Sequence, residues 1–458
     1  MVLNVVIMAA GKGTRMRSAR PKVLHRLAGR HLLQHVLDAA AGLGASRTIV
    51  VTGHGAAEVE QATGAPGLAF VRQEPQLGTG HALQQAAPLL DDAGTTLVLN
   101  GDVPLIEVDT LQALVAASGG QKLALLTVAL ADPTGYGRVL RSGGAITAVV
   151  EEKEASAEQR EIAEIYTGVM AAPTAALKHW LAALKNDNAA GEYYLTDVVG
   201  LAVAAGTAVV GVGASGETEV LGINSAAQLA DLERRYQRRA AERLMNEGVR
   251  LADPARFDLR GTLRCGSDVE IDVGCIFEGE VELGEGVRIG AHSFVRNARI
   301  AAGAILRPYT HIDGEALGAS VGEGASVGPF ARLRGGAALG AEVHIGNFVE
   351  VKNSILGRGA KANHLAYLGD TDVGERVNYG AGAITANYDG ANKHRTTIGA
   401  DAHIGSNVVL VAPVKVGDGA TIGGGSTIAS DAPAGQLTIA RARQSSYTDW
   451  KRPTKKKP

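Results

Sequence analysis

Three basic residues surround a glycine-rich turn near the start of the chain. The turn, Ala9-Ala10-Gly11-Lys12-Gly13-Thr14-Arg15-Met16, follows an apolar run from Val2 to Met8 that predicts a buried strand. Glycines let backbone amides close on phosphate oxygens, while Lys12, Arg15 and the nearby Lys22 would supply cations. The pattern predicts a site for a highly charged ligand, and a tight turn with solvated basic residues is the alternative. It lacks the third glycine of the dinucleotide fingerprint and the Gly-Lys-Ser/Thr of a P-loop, which disfavours hydride transfer and ATP hydrolysis.

A carboxylate and an imidazole are the next candidates for chemistry. Asp102 follows an apolar run from Thr96 to Leu99, at the strand end where an oxygen ligand for Mg²⁺ would lie beside bound phosphates. His364 lies in Asn363-His364-Leu365-Ala366-Tyr367, and an imidazole is the natural base for acyl transfer to an amine near neutral pH. An aspartate in a Gly-Asp turn is more often a turn residue alone, and any one of 12 histidines is more often structural, so both alternatives stay open.

Residues 1 to 226 alternate between predicted strands and helices. Strands are predicted at 48–52, 68–71, 96–99 and 123–128, and helices at 31–43, 80–90 and 110–117. This order predicts an α/β domain of Rossmann-like type, with a mostly parallel sheet that is covered on both faces. Its ligands are expected beyond the carboxyl ends of the strands, where the glycine-rich turn and Asp102 would lie.

From Val269 to Ile428 an aliphatic residue returns at every sixth position, commonly with glycine after it, as in Ile345-Gly346. Neither a helix nor an alternating strand has a period of six. A hexapeptide-repeat, left-handed parallel β-helix does, because each hexapeptide forms one short strand and a corner of a triangular prism. The glycines are expected where a corner needs positive φ or has no room for a β-carbon. The repeat breaks most severely from Tyr379 to Thr397, where a loop is expected to leave the prism.

A helix from Ala226 to about Glu247 is predicted between the two regions, and its basic face is interpreted as solvated. We therefore expect an α/β domain at 1–226, a linker helix at 227–247 and a β-helix domain at 248–458. A length of 458 residues agrees with two domains. The net charge of −2 gives no reason to expect nucleic acid or membrane as a partner, and the two cysteines are expected to be inert. The absence of a basic leader or a long apolar run predicts a cytoplasmic protein.

Several motifs of the first region resemble those of the sugar-1-phosphate nucleotidyltransferases. After the glycine-rich turn come Gln73-x-x-x-Leu77-Gly78-Thr79-Gly80-His81-Ala82, Gly101-Asp102-x-Pro104, Gly135-Tyr136-Gly137-Arg138, Glu151-x-Lys153, Gly191-Glu192-Tyr193-Tyr194 and Gly222-Ile223-Asn224. The resemblance implies that Asp102 and Asn224 hold Mg²⁺, and that Lys12 helps to hold the phosphates. It implies that UTP and the nucleotide sugar contact Met8, Ala9, Ala10, Gly11, Arg15, Lys22, Gln73, Gly78, Thr79, Asn100, Gly101, Asp102, Gly137, Glu151, Tyr166 and Asn224.

With a hexapeptide β-helix behind these motifs, the whole chain resembles the bacterial bifunctional family that joins an N-acetylglucosamine-1-phosphate uridyltransferase to a glucosamine-1-phosphate acetyltransferase. That resemblance implies synthesis of UDP-N-acetylglucosamine for peptidoglycan and lipopolysaccharide, with acetyl-CoA as co-substrate and His364 as base. Around glucosamine-1-phosphate it implies Arg334, Lys352, Tyr367 and Asn378. Around acetyl-CoA it implies Ala381, Asn387, Tyr388, Ser406, Gly424 and Arg441, with Gly424 where the family commonly has alanine. These acyltransferases complete their sites between subunits of a homotrimer, so the segment 380–395 is expected to reach a neighbouring prism.

Two positions depart from the pattern of that family. The family typically has tyrosine where this chain has Asn100, and asparagine where this chain has Tyr166. One departure is the inverse of the other, and both positions are expected at the edge of the sugar pocket. We hypothesise a compensated exchange, and two unrelated tolerated changes are the alternative.

Two other interpretations of the prism remain open. It is only a trimerisation scaffold behind a nucleotidyltransferase in some relatives, although His364 and Lys352 disfavour that interpretation here. It binds a metal in carbonic anhydrases built on the same prism, but His311, His344, His364 and His403 do not show the spacing of that family.

Overall fold

The computed structural model of the protein describes residues 2–188 and 190–455. The chain folds into two compact units, of which the first ends at Tyr236 and the second begins at Gln237. The boundary lies inside a helix that runs from Ala226 to Asn246, close to the bounds predicted for the linker helix.

The first unit is built from short strands and helices in alternation. Its strands are β1 (Leu3–Ala9), β2 (Arg26–Leu27), β3 (Arg30–His31), β4 (Arg47–Thr52), β5 (Leu68–Arg72), β6 (Thr95–Asn100), β7 (Leu123–Ala129), β8 (Gly137–Ser142), β9 (Ala145–Val150), β10 (Glu164–Pro173) and β11 (Val209–Gly213). Its helices are α1 (Leu32–Ala41), α2 (Ala56–Thr63), α3 (Thr79–Ala86), α4 (Val108–Ser118), α5 (Ala157–Arg160), α6 (Thr174–Ala183), α7 (Asp197–Ala204), α8 (Glu217–Val220) and the boundary helix α9 (Ala226–Asn246). Short 3-10 turns occur at Thr14–Met16, Lys22–Leu24 and Ala87–Leu89.

A nine-stranded sheet forms the centre of this unit, with the order β11-β7-β10-β6-β1-β4-β5 and the hairpin β8–β9 attached to β10. All pairs along that order are parallel except those of β10, so the predicted mostly parallel sheet is confirmed. Successive residues of β1 lie in different cores, Val6 in one and Val5 and Ile7 in the other. The sheet is therefore covered on both faces, as a buried parallel sheet must be.

The second unit is a triangular prism of parallel strands. The strands of its first face are Arg250–Leu251, Glu270–Ile271, Arg288–Ile289, Ile305–Leu306, Ser326–Val327, His344–Asn347, Lys361–His364, Asn378–Tyr379, His403–Ile404, Thr421–Ile422 and Leu437–Thr438. Three longer strands, Phe257–Cys265, Cys275–Leu283 and Phe294–Ile300, open the other two faces. The second face continues with His311–Asp313, Arg332–Arg334, Glu350–Lys352, Tyr367–Gly369, Ile384–Ala386, Val409–Val411 and Thr427–Ile428. The third continues with Ala319–Val321, Ala338–Leu339, Ile355–Leu356, Thr371–Val373, Thr396–Ile398 and Val414–Val416.

The repeated aliphatic residues fill the inside of this prism. In one coil Ile345, Val351 and Leu356 point inward from the three faces, and none is more than 2% exposed. The predicted hexapeptide architecture is therefore confirmed. Stacking of coils in register buries a continuous core that no single coil could bury alone.

The corner glycines are required mainly by the close approach of successive coils. A β-carbon on Gly346 would lie 1.9 Å from the carbonyl oxygen of Asn363 in the next coil, so only glycine fits there. The left-handed backbone occurs two residues further on, at Phe348 (φ 57°) and at Leu365 (φ 49°) in the following coil. Left-handed φ is strained for such bulky residues.

Those left-handed residues form a stacked row along the corner between the first and second faces. The rings of His292, Tyr309, Phe330 and Phe348, which we call the aromatic column, are separated by 5.3, 5.0 and 5.5 Å between successive centroids. Leu365 continues the row in the next coil. Tyr309, Phe330 and Phe348 are each about half exposed. The corner therefore presents an apolar strip to solvent in the single chain.

The prediction that the whole segment from Tyr379 to Thr397 leaves the prism is wrong in part. Asn378–Tyr379 and Ile384–Ala386 remain strands of the prism, and only Asn387–Arg395, which we call the outer loop, departs. The repeat is hidden in the sequence because Thr385 occupies the inward position, where the pattern requires an aliphatic residue.

Candidate active sites

The predicted nucleotide-sugar residues line two adjoining cavities at the carboxyl ends of β1 and β6. Met8 of β1 lies beside Asn100 of β6 in the parallel pairing, so both strands end at the same edge of the sheet. The cavities, of about 470 and 430 Å³, share Met8, Thr79, Asn100 and Asp102. The larger is also lined by Ala9, Ala10, Gly11, Lys12, Lys22, Gln73 and Gly78. The smaller is also lined by Arg15, Gly137, Glu151, Tyr166 and Asn224.

Gly101 is the one predicted residue that lines neither cavity. Its backbone amide donates to the carbonyl oxygen of Met8 at 3.0 Å, which ties the ends of β1 and β6 together. It lies beneath the site and supports the turn that carries Asp102.

Lys22 lies at the centre of the predicted metal site. Its ammonium forms an ion pair with the carboxylate of Asp102 and lies 3.2 Å from Oδ1 of Asn224. Gly13, with φ 60°, brings the glycine-rich turn against Lys22, since a β-carbon there would lie 2.7 Å from Cβ of the lysine. Gln228 accepts the backbone amide of Asn224 at 2.8 Å and fixes that residue. The side-chain oxygens of Asp102 and Asn224 thus both lie near the Lys22 ammonium. Carboxylate and amide oxygens are ligands that suit Mg²⁺ beside phosphates.

The smaller cavity is also lined by a partly buried carboxyl and a buried phenol. Thr196 donates to Oε1 of Glu151 at 3.0 Å, and burial raises the pKa of the Glu151 carboxyl. The Tyr166 hydroxyl is buried without a hydrogen-bond partner among the described residues. Burial and the nearby Glu151 raise the pKa of Tyr166, so the phenol stays protonated and available as a donor.

Asn100 and Tyr166, the two positions of the hypothesised exchange, both line the smaller cavity. The side-chain amide of Asn100 donates to the backbone oxygen of Thr167 at 3.3 Å. Gly168, with φ 85°, leaves room for that amide, because a β-carbon there would lie 2.3 Å from Nδ2 of Asn100. The pairing of β10 with β7 shifts register after Tyr166, and such a bulge re-aims the side chains around it.

Sequence reasoning missed several residues of this cleft. Gln76 lines the larger cavity and donates to the backbone oxygen of Ala10 at 3.0 Å, which holds the glycine-rich turn. Thr196 and Tyr136 line the smaller one. Tyr136 lies inside a motif quoted for the resemblance, so the motif itself was a signal for it. Gln76 and Thr196 act through partners distant in sequence, which no local pattern reveals.

In the prism, the predicted base and three predicted acetyl-CoA residues occupy the same corner position in successive coils. We call His364, Ala381, Ser406 and Gly424 the His364 column. The carbonyl oxygen of each of the first three accepts a hydrogen bond from a backbone amide of the following coil. The amide of Gly382 donates to His364 at 3.2 Å, that of Asn407 to Ala381 at 2.8 Å and that of Gly425 to Ser406 at 2.8 Å. Arg441 donates to the carbonyl oxygen of Gly424 at 2.8 Å, so the fourth predicted contact joins the same row.

His364 is held by a neighbour that the sequence did not indicate. Its Nδ1 lies 3.0 Å from Oδ1 of Asn347, its register partner in the preceding coil on the first face. An amide oxygen only accepts hydrogen bonds, so this contact places the proton of the neutral ring on Nδ1 and leaves Nε2 with a free lone pair. The side chain is exposed, which suits a base that receives its proton from a bound substrate.

Arg334, Lys352 and Tyr367 lie on the second face in successive coils. Arg334 is paired with Glu350 at 3.2 Å. Lys393 of the outer loop lies against Lys352 and, with burial, lowers the pKa of that ammonium. Lys393 was not predicted, because the loop alone does not reveal which face it returns to.

The remaining predicted residues are divided between two faces. Asn378 is on the first face, where its amide lies 3.2 Å from Nδ1 of His403. Asn387 and Tyr388 are on the outer loop, beside the second face. The amide of Asn387 donates to Asp370, and the hydroxyl of Tyr388 donates to the oxygen of Gly390 at 2.6 Å. One chain therefore does not bring all the predicted acetyl-transfer residues to one place.

Other groups offer little further chemistry. Among residues 2–188 and 190–455, His, Cys, Asp and Glu side chains nowhere gather in threes suited to a metal ion. Burial raises the pKa of Cys265 to about 12 and that of Cys275 to about 11, so both thiols stay protonated. Within the same ranges, no helix combines the length and the apolar character needed to cross a membrane.

Comparison with known proteins extends over the entire chain. The MobA-like NTP transferase domain family matches residues 5–251, and the bacterial transferase hexapeptide family, in six repeats, matches residues 395–430. The bifunctional protein GlmU of Methylibium petroleiphilum is 72% identical and covers 100% of both chains. Those of Paracidovorax citrulli and an Azoarcus species are 66% and 58% identical, over 99% of this chain and 98% and 100% of theirs. Because such identity spans both proteins from end to end, this chain belongs to the family of bifunctional GlmU proteins.

Proposed function

We propose that this protein makes UDP-N-acetylglucosamine in two steps at two sites. The prism transfers an acetyl group from acetyl-CoA to glucosamine-1-phosphate, and the α/β unit then transfers a uridylyl group from UTP to the product. The observation that carries the proposal is the presence of two separate constellations, each with the groups its reaction requires, in a chain similar to GlmU proteins over its full length.

In the α/β unit, charge neutralisation and positioning perform the reaction. Backbone amides of Ala9 to Gly11 and the cations of Arg15 and Lys22 hold the phosphates of UTP. A phosphate oxygen of N-acetylglucosamine-1-phosphate attacks the α-phosphorus, and the bond to pyrophosphate breaks in line. Asp102 and Asn224 would hold Mg²⁺, which neutralises phosphate charge when bound.

In the prism, His364 acts as the base. The amine of glucosamine-1-phosphate attacks the thioester carbonyl of acetyl-CoA, and Nε2 of His364 takes a proton from the attacking nitrogen. The C–S bond then breaks, and the departing thiolate receives that proton from His364 and leaves as the thiol of CoA. Lys352, Lys393 and Arg334 form a cationic cluster for the sugar phosphate. Two ammonium groups in contact repel each other, so a phosphate between them would relieve that repulsion.

We also propose a homotrimer whose acetyl-transfer sites each use more than one chain. The division of the predicted residues between two faces supports this assembly. The exposed aromatic column supports it too, because that apolar corner lies beside the His364 column and burial against another copy would remove it from water.

A coupled assay tests the proposal. Incubation with glucosamine-1-phosphate, acetyl-CoA, UTP and Mg²⁺ should yield UDP-N-acetylglucosamine, identified by mass, together with free CoA and pyrophosphate. If uridylyl transfer to N-acetylglucosamine-1-phosphate occurs but glucosamine-1-phosphate releases no CoA, the prism is a scaffold and the acetyltransferase half of the proposal fails.

A further inference from the structure

The outer loop is held together by its own hydrogen bonds. The Asp389 carboxylate accepts the backbone amides of Ala391 and Asn392 at 2.8 and 2.7 Å and contacts the His394 ring at 2.7 Å. The amide of His394 donates to the oxygen of Asn387 at 2.9 Å and closes the neck of the loop. These contacts lower the pKa of Asp389. The loop is thus a compact hairpin whose place depends on how its neck is attached to the prism.

Two aspartates of the prism hold that neck. Asp370 accepts the Asn387 amide at Oδ2 and the Asn353 amide at Oδ1, and both Asp370 and Asn387 are buried. Asp372 pairs with Arg395, with Nε to Oδ2 at 2.8 Å, but both of these side chains are 43% exposed. An exposed ion pair contributes little to stability. A buried carboxylate that accepts two amide donors contributes more, because breaking it leaves a charged group unsatisfied.

The backbone makes Asp370 a fixed point. Its φ of 50° is left-handed, its amide donates to the oxygen of Lys352 at 3.1 Å, and its oxygen accepts the amide of Thr396 at 3.1 Å. Asp370 is thus tied to the strand that carries Lys352 and to the strand that follows the loop. Its carboxylate, which binds Asn387, therefore has a fixed position relative to both strands.

The outer loop brings a further cation to the second face, beside Arg334 and Lys352. Lys393 is bridged to Tyr388 across the hairpin and lies against Lys352. The distance between these two ammonium groups depends on the neck, because the rest of the hairpin is held internally.

We propose that Asp370 is a positioning residue for acetyl transfer, which clamps Asn387 and so fixes Lys393 beside Lys352 at the spacing that receives the sugar phosphate. The inference rests on the proposed acetyltransferase function. It also gives Asn387 a different task from the predicted contact with acetyl-CoA, because its side-chain amide is engaged by Asp370.

The test compares Asp370→Asn with Asp372→Asn in the full-length protein. Each substitution removes one carboxylate from the neck and keeps the side-chain shape. Asp370→Asn should raise the KM for glucosamine-1-phosphate by about tenfold or more and leave kcat within about threefold. This is the effect expected when the charged hydrogen bond from Asn387 to Asp370 is lost and Lys393 is no longer held in place. Asp372→Asn should change that KM by less than about threefold. Uridylyl transfer by both variants should equal that of the wild type, and a retained kcat for acetyl transfer shows that the prism of each variant is folded.

Trypsin cleavage at Lys393 and Arg395 gives a second readout that does not depend on catalysis. Release of the neck in Asp370→Asn should speed cleavage there by about tenfold, whereas Asp372→Asn should change it little. A wild type that releases no CoA from glucosamine-1-phosphate would end the proposed function, yet the trypsin comparison would still test the clamp.

A swap of the two groups provides the rescue. In Asp370→Asn/Asn387→Asp the new amide at 370 can donate to the new carboxylate at 387, while its oxygen still accepts from Asn353. The KM and the cleavage rate should return to within about threefold of the wild type. The proposal is overturned if Asp370→Asn and Asp372→Asn behave alike in both readouts, or if the folded double variant shows no recovery. If Asp370→Asn does not fold, Asn387→Ala replaces it, and an unchanged KM in that variant is equally decisive against the clamp.

Discussion

At the scale of single residues, Asp102 and His364 belong to different constellations and different chemistry. Asp102→Asn removes the charge that pairs with Lys22 and would hold Mg²⁺, so it should lower uridylyl transfer by at least about a hundredfold and leave acetyl transfer near normal. His364→Ala should do the reverse, since loss of a general base costs on the order of a hundredfold or more.

Separate assays of the two half-reactions measure this. Removal of Mg²⁺ by a chelator should stop only the nucleotide step. If either substitution disabled both reactions in a folded protein, the two-site assignment would be wrong.

Asn100 and Tyr166 offer a test of coupling. Asn100→Tyr should raise the KM for N-acetylglucosamine-1-phosphate by crowding the cavity, and Tyr166→Asn should raise it by removing the buried phenol. The double variant should recover most of the loss if the two residues compensate each other. Coupled contacts depart from additivity by about 0.5–3 kcal/mol, so a double-mutant cycle on kcat/KM decides, and additive penalties would refute the exchange.

Glu151 links stability to pH. Because burial raises the pKa of its carboxyl in the folded state, the group favours folding below its unfolded pKa, and that contribution is lost as pH rises through the folded pKa. Glu151→Gln removes the ionisable group but keeps an oxygen that accepts from Thr196. The variant should therefore be more stable than the wild type at neutral pH, and the difference should shrink as pH falls.

Thermal unfolding of the α/β unit across a pH series measures this difference. A gain that grew toward low pH would contradict the assigned direction. Sugar affinity should fall in the same variant, because the carboxylate lines the cavity.

At the scale of elements, the glycines of the prism meet two different structural requirements, close approach of neighbouring coils at some positions and a positive φ at others. Gly346→Ala should destabilise the prism by about 2 kcal/mol or more, since its β-carbon would collide with the Asn363 carbonyl. Gly286 is the matched control: its φ is 66° and nothing lies within 4 Å, so Gly286→Ala should cost only about 1 kcal/mol of backbone strain. Denaturant unfolding compares the two, and an equal or smaller cost for Gly346→Ala would show that the coils can move apart.

Strands and helices with a strong period were predictable, and those that depend on distant partners were not. The repeat of Ile345 and its equivalents indicated the prism because every coil uses the same inward position. Strand β10 was missed because its antiparallel pairing with β6 and β7 has no local signature. Gly143 and Gly144 are a hairpin signal that was present in the sequence and not used.

The same distinction applies to the sites. Gly11 and Gly78, which are expected to bind the nucleotide through their backbone, lie in contiguous motifs, so the resemblance could point to them. Asn347, Lys393 and Asp370 act on partners in other coils, and the spacing between coils varies with insertions such as the outer loop. Only the folded prism shows which residues become neighbours.

At the scale of the whole molecule, shared sites predict complementation between chains. His364→Ala chains and Asn387→Ala chains, each weak alone at limiting glucosamine-1-phosphate, should regain part of the acetyl transfer when mixed and allowed to exchange subunits. Recovery requires that some sites combine an intact His364 with an intact outer loop. Mass analysis of mixed assemblies verifies exchange, and absence of recovery after verified exchange would show that each chain completes its own site.

The threefold coil gives the second unit a reading frame. Loss of a single hexapeptide of the prism before His364 would move every later strand back by one face, so the His364 column would leave its corner although the core pattern stayed intact. Loss of a whole coil, such as residues 328–345, would keep each later residue on its own face, because Val327 and Ile345 are register partners. We therefore expect this unit to tolerate changes of length only as whole coils, or as excursions like the outer loop that leave the prism and return to it in phase.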